Sequence, residues 1–216
     1  VYMKTVKGPL RVDCIYRRLD DTFLDPKAFY KGSVIGVPGL FKAWRKGNVG
    51  ILNAIGTGVA DDKVVYSYVN KMIVYYLGEQ PILNQVETYL CHDKTQMDYV
   101  IDNISKLVVK PANASGGYGI MIGPKAPQKE REEVIAKIKK NPREFIAQPL
   151  EILSTAPTIT KNDIEPRHLD LRPFVLSGKS TYVTTGGLTR VALRKGSTIV
   201  NSSQGGGSKD TLIVDI

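Results

Sequence analysis

The chain has 216 residues, of which 42% are hydrophobic and 24% are charged, so it is long enough to bury a substantial core. Its apolar runs fall short of the roughly 18 residues that a transmembrane helix needs, which argues against a membrane-spanning protein. The 30 basic and 21 acidic residues give a net charge of +9 and favour anionic partners. This charge does not choose among nucleotides, nucleic acids and membrane surfaces.

The N-terminus and the cysteines bear on the compartment. The first residues, "VYMKTVKGPLRVD", lack the layout of a signal peptide and do not begin with methionine, as if the chain were cut from a longer protein. Cys14 and Cys91 have no metal-ligand spacing and lie in apolar or mixed runs, which favours reduced thiols in the core. We therefore expect a cytoplasmic protein.

The first third of the chain alternates between short strands and helices. "VYMKTV" and "RVDCIYRR" flank the turn "KGPL" and predict a hairpin. "PGLFKAWRKG" has helix start and stop signals, and "VGILNAI" predicts a short buried strand. Apolar residues then recur at helical spacing from Asp61 to a stop at Gly78, which predicts a long helix. Its apolar stripe is expected to pack in the core and comprises Val65, Val69, Met72, Ile73 and Tyr76.

A second part begins near Pro81. It is predicted to contain a short helix around Gln96 to Ile104 and a helix from about Pro127 to Lys140. "FIAQPL" predicts a strand, and "RHLDLRPFVL", "STYVTT" and "TRVALRKGSTIV" predict an antiparallel meander. "SGKST" contains part of a P-loop pattern, but a proline stands where the leading glycine would be, so we interpret it as a hairpin turn.

The segment "KPANASGGYGIMIGP" places a lysine, Lys110, and several glycines between two apolar runs. The flanking runs predict the two strands of a hairpin with this loop at its tip. Glycines allow backbone N–H groups to converge on an anion, and phosphate is the expected guest. An ordinary glycine-rich turn would explain the same residues, so this stretch alone leaves both interpretations open.

Polar residues gather in the last third of the chain. "DLRPFVL" puts Asp170 and Arg172 on one face of a strand, and "GGLTRVALRKG" puts Arg190 in the neighbouring strand. "VNSSQGGGSKD" then adds Asn201, Gln204 and three glycines in a second loop. A surface ion pair explains each arginine singly. Together with two glycine loops and two lysines, the arginines indicate a site for a polyphosphate.

Six segments, in the order "NAIGTGVADDK", "LVVKPANASGGYG", "IAQPL", "DLRPFVL", "GLTRVAL" and "VNSSQGGGSKD", resemble the circularly permuted branch of the ATP-grasp carboxylate-amine ligases. This branch is related to glutathionylspermidine synthetase and, more distantly, to glutathione synthetase and the ribosomal-protein glutamate ligases. The resemblance implies an α+β, ATP-grasp-like fold. It divides the chain into a pre-ATP-grasp-like α/β segment (1–80), a lid subdomain with the glycine-loop hairpin and helices (81–148), and an antiparallel core subdomain (149–216).

The resemblance also implies roles for individual residues. Two lysines would bind the nucleotide phosphates, the first glycine loop would close over them, and the connection from Gln148 to Glu151 would recognise adenine through its backbone. Arg172 and Arg190 would stabilise the transferring phosphoryl group and the acyl-phosphate, with Asn201 at the phosphate and metal end. The implied nucleotide-binding residues are Lys63, Lys110, Ser115, Gly116, Gly117, Gly119, Gln148, Glu151, Gly205 and Gly206.

The implied reaction joins a small-molecule or peptide carboxylate to an amine through an acyl-phosphate, with ATP and Mg²⁺. Family members bind magnesium with a Glu-x-Asn type pair and a further carboxylate. No such pair stands near the end of this chain, and Asp170 and Asp210 are unconvincing replacements. We therefore expect a fragment of a longer ligase that lacks part of the catalytic core at its N-terminus and is inactive alone. Two alternatives stay open: a nucleotide-binding module without ligase activity, and a basic domain that binds polyanions or RNA.

Overall fold

The structure, a computed structural model, describes residues 1–114, 117–160, 163–197, 200 and 206–214. The chain forms two compact units, Val1–Gln85 and Val86–Ile216. Helices and mostly antiparallel strands make up both units, in agreement with the predicted mixed class. Among the described residues, no helix has both the length and the apolar character needed to cross a membrane. The division into three subdomains stays a prediction.

The strands of the first unit form two small sheets. β1 (Tyr2–Thr5) and β2 (Gly8–Arg11) make the predicted hairpin. Gly8 has a φ of 106° immediately after the turn, a conformation that favours glycine. The second predicted strand is wrong in its extent, because its C-terminal half forms a separate strand, β3 (Cys14–Tyr16). β3 pairs in parallel with β4 (Gly50–Leu52), the predicted short strand.

The helices of the first unit are short. They are α1 (Asp21–Leu24), α2 (Leu40–Arg45), α3 (Lys63–Tyr66) and α4 (Val69–Leu77), with a 3-10 turn at Thr57–Asp61. The helix predicted from Asp61 is thus interrupted, although Gly78 ends it in the left-handed conformation as expected. No residue of α4 is buried, and Tyr76 is 75% exposed, so the predicted core stripe is wrong. The periodicity identified an apolar face of α4 correctly, but it did not show whether that face would be buried.

A buried carboxylate organises the start of α2. Asp25 is 1% exposed and accepts hydrogen bonds from the backbone N–H groups of Lys27 at 2.8 Å, Gly39 at 3.0 Å and Phe41 at 3.0 Å. Burial acts to raise the pKa of Asp25, but the three hydrogen bonds outweigh it and the pKa is lowered below its usual value. Asp25 is therefore a charged structural residue that fixes one helix to the loop before it.

The second unit begins with a four-stranded antiparallel sheet. Its strands, in spatial order, are β5 (Tyr89–Leu90), β8 (Phe145–Pro149), β6 (Leu107–Pro111) and β7 (Met121–Ile122). Two helices, α5 (Lys94–Asp102) and α6 (Gln128–Lys140), pack on one face. The core between sheet and helices comprises Cys91, Val100, Ile104, Leu107, Val109, Met121, Ala126, Ile138 and Ala147.

A second antiparallel sheet follows. Its order is β12 (Gly207–Lys209), β11 (Thr181–Val191), β10 (Ile164–Ser177) and β9 (Thr155–Ile159). The predicted hairpin turn at "SGKST" is confirmed, since it joins β10 to β11. Two strands predicted separately are one continuous strand, β11, which passes through Gly186 and Gly187. β9 was not predicted.

The two cysteines differ in environment. Cys91 is 1% exposed, as expected of a core thiol, and burial raises its pKa to about 11. Cys14 is exposed, so its prediction as a core residue is wrong. Both thiols are free.

Candidate functional site

Lys110 and Gln148 lie on the face of the first sheet that is turned away from its helices. Val109 and Ala147 pair with each other and belong to the helix-facing core, so the residues that alternate with them point the opposite way. Gln148 is paired with Val108, which puts Lys110 at the diagonal position on the same face. The Lys110 Nζ donates a hydrogen bond to Gln148 Oε1 at 2.6 Å.

The glycine loop joins β6 to β7, so its prediction as the tip of a hairpin is confirmed. Gly117 and Gly119 have φ values of 81° and 71°, and both therefore use a conformation that other residues rarely adopt. A Cβ on Gly119 would also lie 2.9 Å from Pro111 Cγ, so a larger residue is excluded by space as well. Two further predicted binding residues, Ser115 and Gly116, lie outside the described residues.

The predicted adenine-binding connection runs between the two sheets of the second unit. Gln148 is the penultimate residue of β8 and is 8% exposed, whereas Glu151 is exposed in the irregular segment that leads to β9. A backbone with few ladder hydrogen bonds has N–H and C=O groups to offer a ligand. Recognition of adenine there stays a prediction.

Arg190 and Arg172 meet at one carboxylate on the second sheet. Arg190 is paired with Asp170 across β10 and β11, and its Nε and Nη2 donate to the two carboxylate oxygens at 2.9 and 2.5 Å. The Nε of Arg172 lies 3.4 Å from Asp170 Oδ2. Asp170 thus holds Arg190 by a bidentate contact and lies beside Arg172 as well.

Exposure distinguishes the two arginines. The Arg190 side chain is 16% exposed, and its hydrogen bonds with Asp170 raise its pKa further. The same hydrogen bonds, aided by the charge of Arg172, lower the pKa of Asp170. The Arg172 side chain is 53% exposed and has the freedom to reach a ligand. The sequence predicted both arginines but gave Asp170 no role beside them.

Three predicted site positions lie near the end of the chain. Gly206 lies directly before β12, whose residue Ser208 pairs with Arg190. Asn201 and Gly205 lie outside the described residues. The predicted second glycine loop is therefore described only at its C-terminal end.

Lys63 is the first residue of α3, in the first unit. Its neighbour Asp62 caps the helix by accepting a hydrogen bond from Val64 N at 2.9 Å. Burial lowers the pKa of Lys63, while the adjacent Asp62 acts to raise it. The other predicted site residues belong to the second unit.

Carboxylates, histidines and cysteines are the side chains that could hold a metal ion. In the described ranges no three of these residues come together in a group that could hold a metal ion. Asp170 is engaged by arginines, and His168 Nδ1 lies 2.7 Å from the carbonyl oxygen of Leu153. These residues do not fit a magnesium site, and we assign no ligand to one.

The comparison with known families assigns the chain to a family. The family described as circularly permuted ATP-grasp type 2 matches residues 1–192. The chain belongs to this family. The part of this ATP-grasp chain that matches the family contains Lys63, Lys110, Gln148, Arg172 and Arg190. It ends before the second glycine loop. The resemblance drawn from the sequence is thereby confirmed.

Several relatives of this ATP-grasp chain are longer than it is. An uncharacterized protein of Synechocystis sp. is 55% identical over 98% of the chain, which spans 44% of that protein. An uncharacterized protein of Mycobacterium tuberculosis is 54% identical over 99% of the chain, which spans 39% of it. A Frankia casuarinae protein named "Putative glutamate--cysteine ligase 2-2" is 51% identical over 94% of the chain, which spans 23% of it.

One residue of the candidate site was not found from the sequence. Thr88 lies immediately before β5, and its hydroxyl accepts a hydrogen bond from Gln148 Nε2 at 2.8 Å. Nothing in the local sequence distinguishes this threonine. Its position becomes apparent only once β5 and β6 are known to flank β8.

Proposed function

We propose that the protein is an ATP-dependent ligase that joins a carboxylate to an amine through an acyl-phosphate, and that this chain supplies its nucleotide-binding part. The observation that carries the proposal is the position of Lys110. In this ATP-grasp family member, Lys110 is the penultimate residue of the strand that leads into the glycine-rich hairpin loop, and it is hydrogen-bonded to Gln148 near the end of the adjacent strand. A cation beside a glycine-rich loop, whose backbone N–H groups can turn toward an anion, suits the phosphates of ATP.

In this proposal each group of residues has one task. Lys110 binds phosphate oxygens, and the loop that contains Gly117 and Gly119 closes over them as a lid. The backbone from Gln148 to Glu151 recognises adenine. Arg172 and Arg190 neutralise the charge that develops on the transferring phosphoryl group and on the acyl-phosphate.

The chemistry has two steps. A carboxylate oxygen attacks the terminal phosphorus of ATP, the bond to the bridging oxygen breaks, and ADP leaves. The amine then attacks the acyl carbon, loses a proton, and expels inorganic phosphate from a tetrahedral intermediate. The protein supplies positioning and positive charge, so neither step needs a nucleophilic side chain.

Isotope transfer tests the mechanism directly. The protein encoded by the complete gene would be incubated with ATP, magnesium, an amine and a carboxylate labelled with ¹⁸O. An acyl-phosphate intermediate requires one labelled oxygen per turnover to appear in inorganic phosphate, measured by mass spectrometry. Unlabelled phosphate formed together with an amide would contradict the acyl-phosphate. ATP binding without turnover, over a broad panel of acids and amines, would indicate a nucleotide-binding module instead.

The name of the Frankia casuarinae relative suggests the first substrates. Labelled glutamate with cysteine would head the panel, followed by other amino acids and short peptides. A single-stranded oligonucleotide belongs in the same binding assays, because a net charge of +9 also favours polyanions. Binding of the oligonucleotide but not of ATP would overturn the proposal.

Lys110→Ala is expected to weaken ATP binding by more than tenfold. A charge-assisted hydrogen bond is worth ~1.5 to 3 kcal/mol, which corresponds to a loss of this size. The melting temperature should change little, because Lys110 is half-buried and water can replace it at Gln148. Isothermal titration with ATP and thermal unfolding measure the two effects. Lys106→Ala removes the same charge from an exposed position just before β6 and should leave the affinity unchanged; equal affinities in both variants would remove Lys110 from the site.

ATP is expected to protect the glycine loop from proteolysis. Tyr118 is 73% exposed between the two left-handed glycines, so chymotrypsin should cut there in the absence of nucleotide. Saturating ATP should slow this cut, while cleavage at the exposed Tyr182 in β11 should continue at its original rate. Mass spectrometry of the fragments reads both sites. A rate at Tyr118 that ATP does not alter would argue against a lid.

A further inference from the structure

We propose that Gln148 and Thr88 are positioning residues that hold the Lys110 ammonium for ATP through a chain of neutral hydrogen-bonding groups. These hydrogen-bonding groups lie on three adjacent strands, with Lys110 on β6, Gln148 on β8 and Thr88 immediately before β5. This inference rests on the proposed function, and it gives the Gln148 side chain a task separate from the adenine recognition proposed for its backbone.

The direction of each of these hydrogen bonds follows from the two groups at the ends of the series, the Lys110 ammonium and the Val86 carbonyl. A lysine ammonium only donates and a backbone carbonyl only accepts. Lys110 Nζ therefore donates to Gln148 Oε1 at 2.6 Å, Gln148 Nε2 donates to Thr88 Oγ1 at 2.8 Å, and the hydroxyl donates to the carbonyl oxygen of Val86 at 3.0 Å. The amide of Gln148 has one orientation that satisfies both neighbours.

Burial makes any other orientation of the Gln148 amide unfavourable. Gln148 is 8% exposed, so a rotated amide would turn its NH₂ group toward the ammonium and leave donors unpaired away from water. The Thr88 hydroxyl opposes this rotation. Its hydrogen is donated to the Val86 carbonyl, so toward Gln148 the Thr88 oxygen can only accept, and only the NH₂ group of the amide can donate to it. Thr88 thus acts on Lys110 without touching it.

The second property of Gln148 and Thr88, the groups that hold Lys110, is that they carry no charge. On the second sheet Asp170 positions Arg190 and brings a negative charge to it. Gln148 positions Lys110 and brings none. A carboxylate at this position would hold the lysine equally well but would compete with the phosphates for its charge. The amide therefore suits a lysine that must be both fixed and fully attractive to an anion.

Three variants separate the effect of the fixed amide orientation from the effect of the missing charge. Thr88→Val keeps the shape of the side chain but removes the hydroxyl, and it should weaken ATP binding roughly fivefold, as expected for one hydrogen bond. Thr88→Ser should restore the affinity. Gln148→Glu should weaken ATP binding tenfold or more, although the lysine stays in place. Adenosine, which has no phosphate, should bind Thr88→Val and Thr88→Ser as it binds the original chain.

The coupling to Lys110 is the decisive measurement. In a Lys110→Ala background, Thr88→Val should cause no further loss of ATP affinity, because Thr88 acts only through the lysine. The matched control is Thr158→Val: Thr158 is half-buried, and its hydroxyl also donates to the carbonyl two residues earlier, at Ala156. This control should leave ATP affinity unchanged. An equal effect of Thr88→Val with and without Lys110 would overturn the inference.

A nucleotide-free readout separates this inference from the proposed function. The ¹⁵N signal of the Lys110 side chain should shift in Thr88→Val and return in Thr88→Ser. If the signal behaves in this way but the original chain binds no ATP, the proposed function fails and the positioning contact stands. If ATP binds but Thr88→Val alters neither the signal nor the affinity, the positioning role fails and the proposed function stands.

Discussion

Arg190→Ala is expected to lower the turnover of the proposed ligase roughly 10²- to 10³-fold, a loss typical of removing a group that stabilises transition-state charge. ATP affinity should fall much less, because the proposed contact of Arg190 strengthens as charge develops during transfer. The bidentate bond to Asp170 fixes the guanidinium in advance, so the arginine does not have to be ordered during the reaction. Steady-state kinetics and titration with ATP give the two quantities.

Two controls accompany Arg190→Ala. Arg194→Ala removes the same side chain from an exposed position four residues later and should keep full turnover. Arg190→Lys keeps the charge but loses the planar fork, so it should recover only part of the activity. Thermal unfolding must be measured in parallel, because Asp170 loses its main partner. Full turnover in a folded Arg190→Ala protein would exclude Arg190 from catalysis.

Asp25→Ala is expected to lower the free energy of unfolding by about 3 kcal/mol or more, since it leaves the N–H groups of Lys27, Gly39 and Phe41 without their charged acceptor. The start of α2 and the loop before it should loosen together. Chemical denaturation monitored by circular dichroism measures the loss. Asp13→Ala is the control, because its pair with Arg11 is exposed at both ends and should contribute less than about 1 kcal/mol.

Acid should erase the difference between Asp25→Ala and the original chain. The pKa of Asp25 is lowered in the folded state, so its contribution is complete above the ordinary carboxyl pKa of about 3.9 and is lost as the pH falls through the folded value. The gap in stability between the two proteins should therefore begin to close below about pH 4 and vanish once the pH lies below the lowered pKa of Asp25. A gap that persists in strong acid would mean that Asp25 acts through packing and not through charge.

Local signals predicted part of this fold correctly. α6 starts one residue after Pro127 and ends at Lys140, where proline at the start and lysines in the last turn mark the helix in the sequence itself. The hairpin of β6 and β7 was also predicted, since a glycine-rich loop joins two apolar runs that are neighbours in the sequence. Features coded within a few residues of one another can be found without the fold.

Features that depend on distant residues were missed or misjudged. The parallel pairing of β3 with β4 joins residues 36 positions apart, as in Cys14 and Gly50, and no local pattern announces it. The apolar spacing of α4 identified a face, but periodicity cannot say what covers that face. At the site, Lys110 and Arg190 carry recognisable motifs. Asp170 was placed on one face with Arg172 from the sequence. The pairing of Asp170 with Arg190 and the position of Thr88, however, depend on register and strand order, which one sequence does not reveal.

The contrast between the two cysteines makes the native chain suitable for site-selective labelling. At neutral pH a thiol whose pKa is about 11 is almost entirely protonated, and Cys91 is also shielded from reagents. A maleimide dye should therefore attach to Cys14 alone and mark the first unit without any mutation. Paired with a fluorescent ATP analogue, this single dye would report by energy transfer how far the first unit lies from the bound nucleotide.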